Sequence, residues 1–213
     1  MELRNRIIKI FVLALAIFIL SFYASTKILQ YFSQTTSANI IATSPTDVIA
    51  TMFNMSLFIT LIITIPYIFH NIVAFVKPAI NSKYLLSLPF FSSMMFFSGS
   101  LFGYFIALYT ANFMSAMANE IGVLNMWSIT EYLNFLIVTT LLFGVIFQIP
   151  LGMFILNKTG MMPKNYFKKM RFPMLFILLL LIAIISPQGD VVSLIIMGAP
   201  MAIIYEIGIV IAR

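Results

Sequence analysis

The chain has 213 residues, of which 62% are hydrophobic and only 8% charged, with 22 Phe and 15 Met. Soluble domains carry about 25% charged residues, so a water-soluble fold of this size could not hide so much apolar surface, and its solvent must be lipid. Cysteine is absent and His70 is the one histidine, which excludes disulfides, a thiolate nucleophile and Cys- or His-rich metal sites. The formal net charge of +6 falls in short connections between apolar runs. It therefore reads as membrane topology and not as a nucleic-acid interface.

About 20 apolar residues cross a hydrocarbon core of ~30 Å. In chain order the candidates are Ile7–Leu29, Val48–Phe69, Leu85–Tyr109, Ile129–Leu156, Pro173–Ile185 and Val191–Tyr205, the last continuing to Ala212. The expected fold is all-α: one polytopic transmembrane domain with six helices. Ile7–Tyr23 lacks a small-residue cleavage site of the A-x-A kind, so the first run is expected to be a permanent helix. The fifth run has 13 residues and spans only ~20 Å as a helix. With the sixth, it must thin the bilayer or pack inside a bundle. Ser186-Pro187-Gln188-Gly189-Asp190 makes the turn between them.

Orientation follows from the basic residues. With six spans, Arg4, Arg6, Lys9, Lys77, Lys83, Lys158, Lys164, Lys168, Lys169, Arg171 and Arg213 share one side, and Lys27 alone falls on the other. Asp47, Glu120, Glu131 and Asp190 join Lys27. Both termini are therefore expected on the cytoplasmic, or cis, face. The trans connections Gln30–Ser44 and Ala111–Trp127 mix apolar and polar residues and suit interfacial helices or caps. Trp127 and Tyr132 suit an aromatic belt.

Few polar residues fall where they could carry chemistry. Gln148, in Phe143-Gly144-Val145-Ile146-Phe147-Gln148-Ile149-Pro150, lies among apolar residues of the fourth span. Such a group faces protein or water, either as an interhelical hydrogen bond or in a functional role. Pro150 frees a carbonyl one turn earlier and kinks the helix. Glu206 follows Tyr205 near the cis end of the sixth span and reads first as a carboxylate snorkelling to the interface. Asp190 complements the dipole of the sixth helix. Asp47, after Ser44-Pro45-Thr46, reads as a helix start. Glu2 either pairs with Arg6 at i,i+4 or accepts a guanidinium bidentately. His70 reads as a snorkelling side chain, and Lys164–Arg171 as a basic anchor favouring anionic lipid.

Taken together, several phrases resemble the TatC family in order along the chain. Glu2-Leu3-Arg4-Asn5-Arg6 is similar to its opening H-L-x-E-L-R-x-R, and Ser44-Pro45-Thr46-Asp47 to the Pro cap before the second span. Ala74-Phe75-Val76-Lys77-Pro78-Ala79 resembles F-x-x-P-(G/A)-L, and Phe102-Gly103-Tyr104-Phe105 the third-span phrase. Glu131-Tyr132-Leu133-Asn134-Phe135 resembles the start of the fourth span, and Phe143–Pro150 resembles F-G-x-x-F-E-x-P. Ser186–Ser193 resembles T-P-x-D-x-x-S, while Pro200-Met201 with Tyr205-Glu206 resembles P-x-x-x-L-Y-E. There are three departures. Gln148 stands where the family has an intramembrane Glu, Lys83 and Tyr84 stand where the first cytoplasmic loop often has an acid, and the His before the E-L-R phrase has no counterpart.

The resemblance implies a receptor for the twin-arginine signal peptides of folded cargo. It also implies small single-span TatA/TatB-type partners, self-association and transport driven by the proton-motive force. No P-loop occurs, in keeping with transport without nucleotide hydrolysis. Glu2, Arg4, Phe75 and Pro78 match the recognition positions. Pro45, Gln148, Pro150, Asp190, Tyr205 and Glu206 match the structural and intramembrane polar ones. No cofactor, metal, nucleic acid or enzymatic activity is implied, and the expected location is the cell membrane, or an organellar inner or thylakoid membrane.

Two alternatives, a secondary transporter and an intramembrane enzyme of the serine or aspartyl kind, predict different patterns. A secondary transporter of small solutes needs a repeat-related pair of broken helices with midplane polar groups, and only the fourth span offers one. A serine protease of the membrane would need a Ser–His pair, and no G-x-S-x-G occurs. An aspartyl enzyme would need two close acids, yet Asp47 and Asp190 both sit at trans-side helix starts.

Overall fold

In a hydrocarbon solvent every backbone N–H and C=O must be satisfied within the segment, so apolar runs of this length fold as helices. The computed structural model describes residues 2–35, 40–76, 88–120, 122, 126–163, 165–185 and 191–211. It contains α1 (Glu2–Thr35), α2 (Pro45–Val76), α3 (Leu88–Glu120), α4 (Ile129–Ile146), α5 (Ile149–Lys158), α6 (Tyr166–Lys169), α7 (Arg171–Ile185) and α8 (Val191–Ile211). Two short strands, β1 (Ile40–Ile41) and β2 (Trp127–Ser128), lie in the connections. Five helical stretches are long and apolar enough to cross a membrane, the fourth being α4 with α5, and α7 is a shorter apolar helix.

The bundle has two chemically distinct ends. Arg4, Arg6 and Lys9 at the start of α1, Lys158 at the end of α5, Lys168 and Lys169 in α6 and Arg171 at the start of α7 mark a basic end. Asp47, Glu120 and Glu131 mark the opposite, acidic end.

Several elements differ from the hydropathy boundaries. α3 runs to Glu120, eleven residues beyond Tyr109 (120 − 109). The added stretch carries Asn112, Ser115 and Asn119, which lower its hydropathy, but Ala111, Met114, Ala116, Met117 and Ala118 are strong helix formers. α1 likewise continues to Thr35. At ~1.5 Å per residue both helices are ~50 Å long, well over the ~30 Å core, so they tilt or protrude. The fourth run is two helices and not one, with a break at Phe147–Gln148.

At the acidic end β1 pairs with β2 in parallel, Ile40 opposite Trp127 and Ile41 opposite Ser128. Trp127 and Tyr132 are not a lipid-facing belt. They are 7% and 3% exposed, and their rings stack edge-on at 5.8 Å. The Trp127 indole N–H reaches the Ser115 hydroxyl at 3.4 Å. The start of α2 is a reciprocal cap. Asp47 Oδ2 accepts from the backbone N–H groups of Thr43 (2.8 Å) and Ser44 (2.9 Å) and from the Thr43 hydroxyl (2.7 Å). Pro45 occupies the first helical position, where its missing N–H costs nothing. Thr51 and Thr130 share the Asp47 carbonyl, at 2.6 and 3.2 Å, and so tie α2 to α4.

The tightest seam joins α3 to α4. A Cβ added at Gly99 would lie 2.6 Å from Phe147 Cγ, and one at Gly103 would lie 2.6 Å from Phe143 Cβ. One at Gly144 would collide with the Ser100 hydroxyl and the Phe96 ring. Gly99 and Gly103 form a G-x-x-x-G pair, which lets membrane helices approach at backbone distance. Phe96 and Phe143, both fully buried, fill the seam. Phe102 packs on Phe143 and Phe147 at 5.6 and 5.8 Å between ring centres.

Candidate functional site

The break in the fourth run follows from Pro150, which has no N–H to give the Ile146 carbonyl. α4 instead closes with Phe147 N–H on Phe143 O (2.9 Å) and a tighter Gln148 N–H on Val145 O (2.9 Å). The helix restarts with Gly152 N–H on Gln148 O (2.9 Å). Gln148, 6% exposed, thus stands at the joint and is clasped to α3 from both atoms of its amide. Nε2 donates to the Ser92 carbonyl at 2.8 Å, and Ser92 Oγ donates to Oε1 at 3.1 Å. This is the interhelical hydrogen bond that was one reading of Gln148. The same pair lines a cavity of about 270 Å³ between α2, α3 and α5, walled by Phe69, Ile72, Leu156 and Met161. Ser92, early in α3, places the cavity toward the basic end.

A second polar cluster ties α8 to α7 at that end. Arg171 Nη2 donates to Glu206 Oε2 at 2.8 Å, and Nε lies 2.7 Å from Oε1. Glu206 is therefore ion-paired with Arg171, and with the two side chains 43% and 44% exposed it reaches the interface as part of that pair. The planar guanidinium matches the carboxylate geometry. Tyr205, fully buried beside it, donates its hydroxyl to the Phe167 carbonyl at 2.9 Å. The kinked connection through α6 is thereby fixed to the last span. Gly208, one turn from Tyr205, brings α8 against α5. A Cβ there would lie 2.7 Å from Met153 Sδ and 3.2 Å from Pro150 Cα.

The remaining expected residues are dispersed. Glu2 opens α1 at the basic end, and Arg4 is exposed two residues on. Arg6 Nη1 reaches the Asn71 carbonyl at 3.4 Å, joining the start of α1 to the end of α2. Phe75 is in the last turn of α2. The side chains of Glu2, Pro45 and Phe75, with all of Pro78 and Asp190, lie outside the described residues. So do the proposed Glu2–Arg6 pair and the turn at 186–190. His70 is exposed on α2.

The structure therefore brings together Gln148 with Pro150, and Tyr205 with Glu206, at one end of the bundle. Sequence reasoning missed three partners: Ser92, Arg171 as the counter-ion of Glu206, and the glycine seam. Only the last left a local signal, the four-residue spacing of Gly99 and Gly103. The transporter alternative gains no second broken helix among the described residues, because Pro66 and Pro200 sit inside continuous α2 and α8.

Comparison with known proteins places this geometry. The chain is similar to the Sec-independent protein translocase proteins TatCy of Bacillus subtilis, at 29% identity, and TatC of Haemophilus influenzae, at 27%. Each alignment covers 100% of this chain and 86% of the relative. Among solved structures, a crystal structure of the twin-arginine translocase receptor TatC superposes with a TM-score of 0.85 at 26% identity. That match covers 99% of this chain and 96% of the other. The family model described as Sec-independent protein translocase protein (TatC) matches residues 1–200. With its ordered motifs, its bundle of apolar helices and its broken fourth span, this multi-pass membrane protein belongs to the TatC family of protein translocase components.

Proposed function

We propose that this chain is the receptor for twin-arginine signal peptides and the core subunit of a translocase that moves folded proteins using the proton-motive force. In this reading it is one transmembrane domain of six spans, without catalytic activity. The basic end and both termini face the cytoplasm, because positive charge is retained on that side. The host membrane is the cell membrane, or an organellar inner or thylakoid membrane in a eukaryote. TatA/TatB-type single-span subunits and further copies of the chain complete the machine.

The observation that carries this is the agreement of nearly the whole bundle with a solved twin-arginine translocase receptor. The cavity floored by Ser92 and Gln148 at the basic end supports it. Two guanidinium groups require acidic or carbonyl acceptors there. Glu206 is already paired with Arg171, so Glu2 is proposed as the acid that serves, with Arg4, Phe75 and Pro78 as the further recognition positions that the family motifs suggest. Gln148 supplies a hydrogen-bonding floor without charge.

Site-specific photocrosslinking tests this reading. A photoreactive residue at Phe69 or Gly152, both lining the cavity, captures a twin-arginine signal peptide, and one at Phe105, exposed on α3, does not. Glu2→Gln weakens binding of the twin-arginine peptide to the purified protein by about tenfold, the lower end for a charge-assisted contact. Equal affinity of the two proteins would remove Glu2 as the acceptor.

A further inference from the structure

On the flank of α5 away from the Gln148 cavity lies a second cavity of about 260 Å³ between α3, α5 and α8, lined by Leu88, Phe91, Met95, Leu151, Phe154 and Ile211. The lining is hydrocarbon. Phe91 and Ile211 are 50% and 47% exposed, so the slot opens outward from the bundle. The opposing walls cannot simply close on it. Gly208 already holds α8 at contact distance from Met153 and Pro150, and buried Leu88 packs on Leu151, Phe154 and Ile155. Its volume of about 260 Å³ has room for part of one flexible apolar chain.

A cation stands at its rim. Lys158 is one helical turn beyond Phe154 on the same face of α5, ~6 Å along the axis toward the basic end. Its ammonium lies 5.8 Å from the centre of the Phe154 ring that lines the slot. Lys158 is exposed, and among the described residues that ring is its recorded partner. Glu206 at this end is held by Arg171. An apolar slot with a cation a turn above it, whose recorded partner among the described residues is an aromatic ring, complements a lipid with an anionic head group.

We propose that this slot is a specific site for one anionic phospholipid, an acyl chain lying between α3, α5 and α8 and the phosphate meeting Lys158. The slot is a separate cavity from the one floored by Gln148, with Leu151 forming the wall between them.

Native mass spectrometry of the detergent-purified whole chain tests this with phosphatidylglycerol and phosphatidylcholine as probes. The wild type retains phosphatidylglycerol about fivefold more tightly, the effect of one basic side chain at a membrane surface. Lys158→Gln brings the two lipids level, while Lys158→Arg and Lys168→Gln keep the preference. Met95→Trp, which fills the slot, lowers retention of both lipids. Inorganic phosphate does not compete. The proposal is overturned if Lys158→Gln retains the preference, if Lys168→Gln abolishes it equally, or if inorganic phosphate displaces the lipid. Lys158 is exposed, so its variants keep the test decisive even where Met95→Trp fails to fold.

Discussion

The first and fourth spans are both apolar enough to cross a membrane but hold their places in opposite ways. In the most apolar stretch of the fourth, 56% of residues are buried inside the protein, against 6% in the first. The fourth meets α3 through Gly99, Gly103 and Gly144, with Phe96 and Phe143 filling the space between. α1 touches its neighbour along one stripe, Ser21, Ser25 and Leu29, spaced four residues apart, with Phe18 edge-on to Phe53 at 5.4 Å. Hydropathy is therefore silent on which helix forms the core. Lipid is as apolar as leucine, so helix packing in a membrane is decided by small residues and close approach. The fourth span belongs to the core because glycines on α3 and on itself let the two helices come to backbone distance.

The largest expected effect comes from filling the seam. Gly103→Leu drives a side chain into Phe143 and the Thr139 carbonyl. It costs about 3 kcal/mol or more, the upper end of overpacking, and should abolish accumulation of folded protein in membranes, read by trypsin resistance of the membrane fraction. Wild-type resistance would show that α3 and α4 separate freely, and the contrast with α1 would fail.

An intermediate effect is expected at the joint. Gln148→Leu removes both bonds to Ser92 and costs about 1–2 kcal/mol, measured as a lower midpoint of thermal unfolding in detergent. Gln148→Glu keeps the bond from Ser92 Oγ but sets an oxygen against the Ser92 carbonyl, where an N–H now donates. It should fall between wild type and Gln148→Leu. The reverse order would mean that the clasp contributes nothing to holding the fourth span.

The smallest effect is expected in the first span. Ser25→Leu replaces a hydroxyl that serves only its own helix, on Phe22 O at 2.7 Å. α1 has lipid behind it and can back away, so the cost should be about 1 kcal/mol and membrane accumulation should persist. A loss matching that of Gly103→Leu would make α1 part of the core.

Much of this fold was legible because lipid imposes one rule on every span. The Pro150 break could be read from the residue itself, and so could the Asp47 cap, whose partners lie within four positions. The limits appear where a partner is remote. Gln148 stands out as a polar group in an apolar run, but Ser92 is 56 residues away, and Arg171 is 35 residues from Glu206. Nothing local distinguishes an engaged carboxylate from a free one. Trp127 and Tyr132 look like belt residues, because amphipathic rings near a span end suit both an interface and a buried corner. The end of α3 is missed for another reason: hydropathy follows solvent preference, whereas Ala and Met extend a helix whatever surrounds it.

The short pairing of β1 with β2 bears on how the chain is assembled in the membrane. Ile40 and Trp127 are 87 positions apart (127 − 40). Helices α1 and α2 can meet as soon as both have emerged, and α3 with α4 likewise. The strand pair cannot form until α3 has carried the chain back to the acidic end. Long-range pairings of this kind come late because loop closure must precede them. The staple, with Thr51 bonded to Thr130 at 3.0 Å beside it, can thus close only on chains whose first three segments have taken alternating directions.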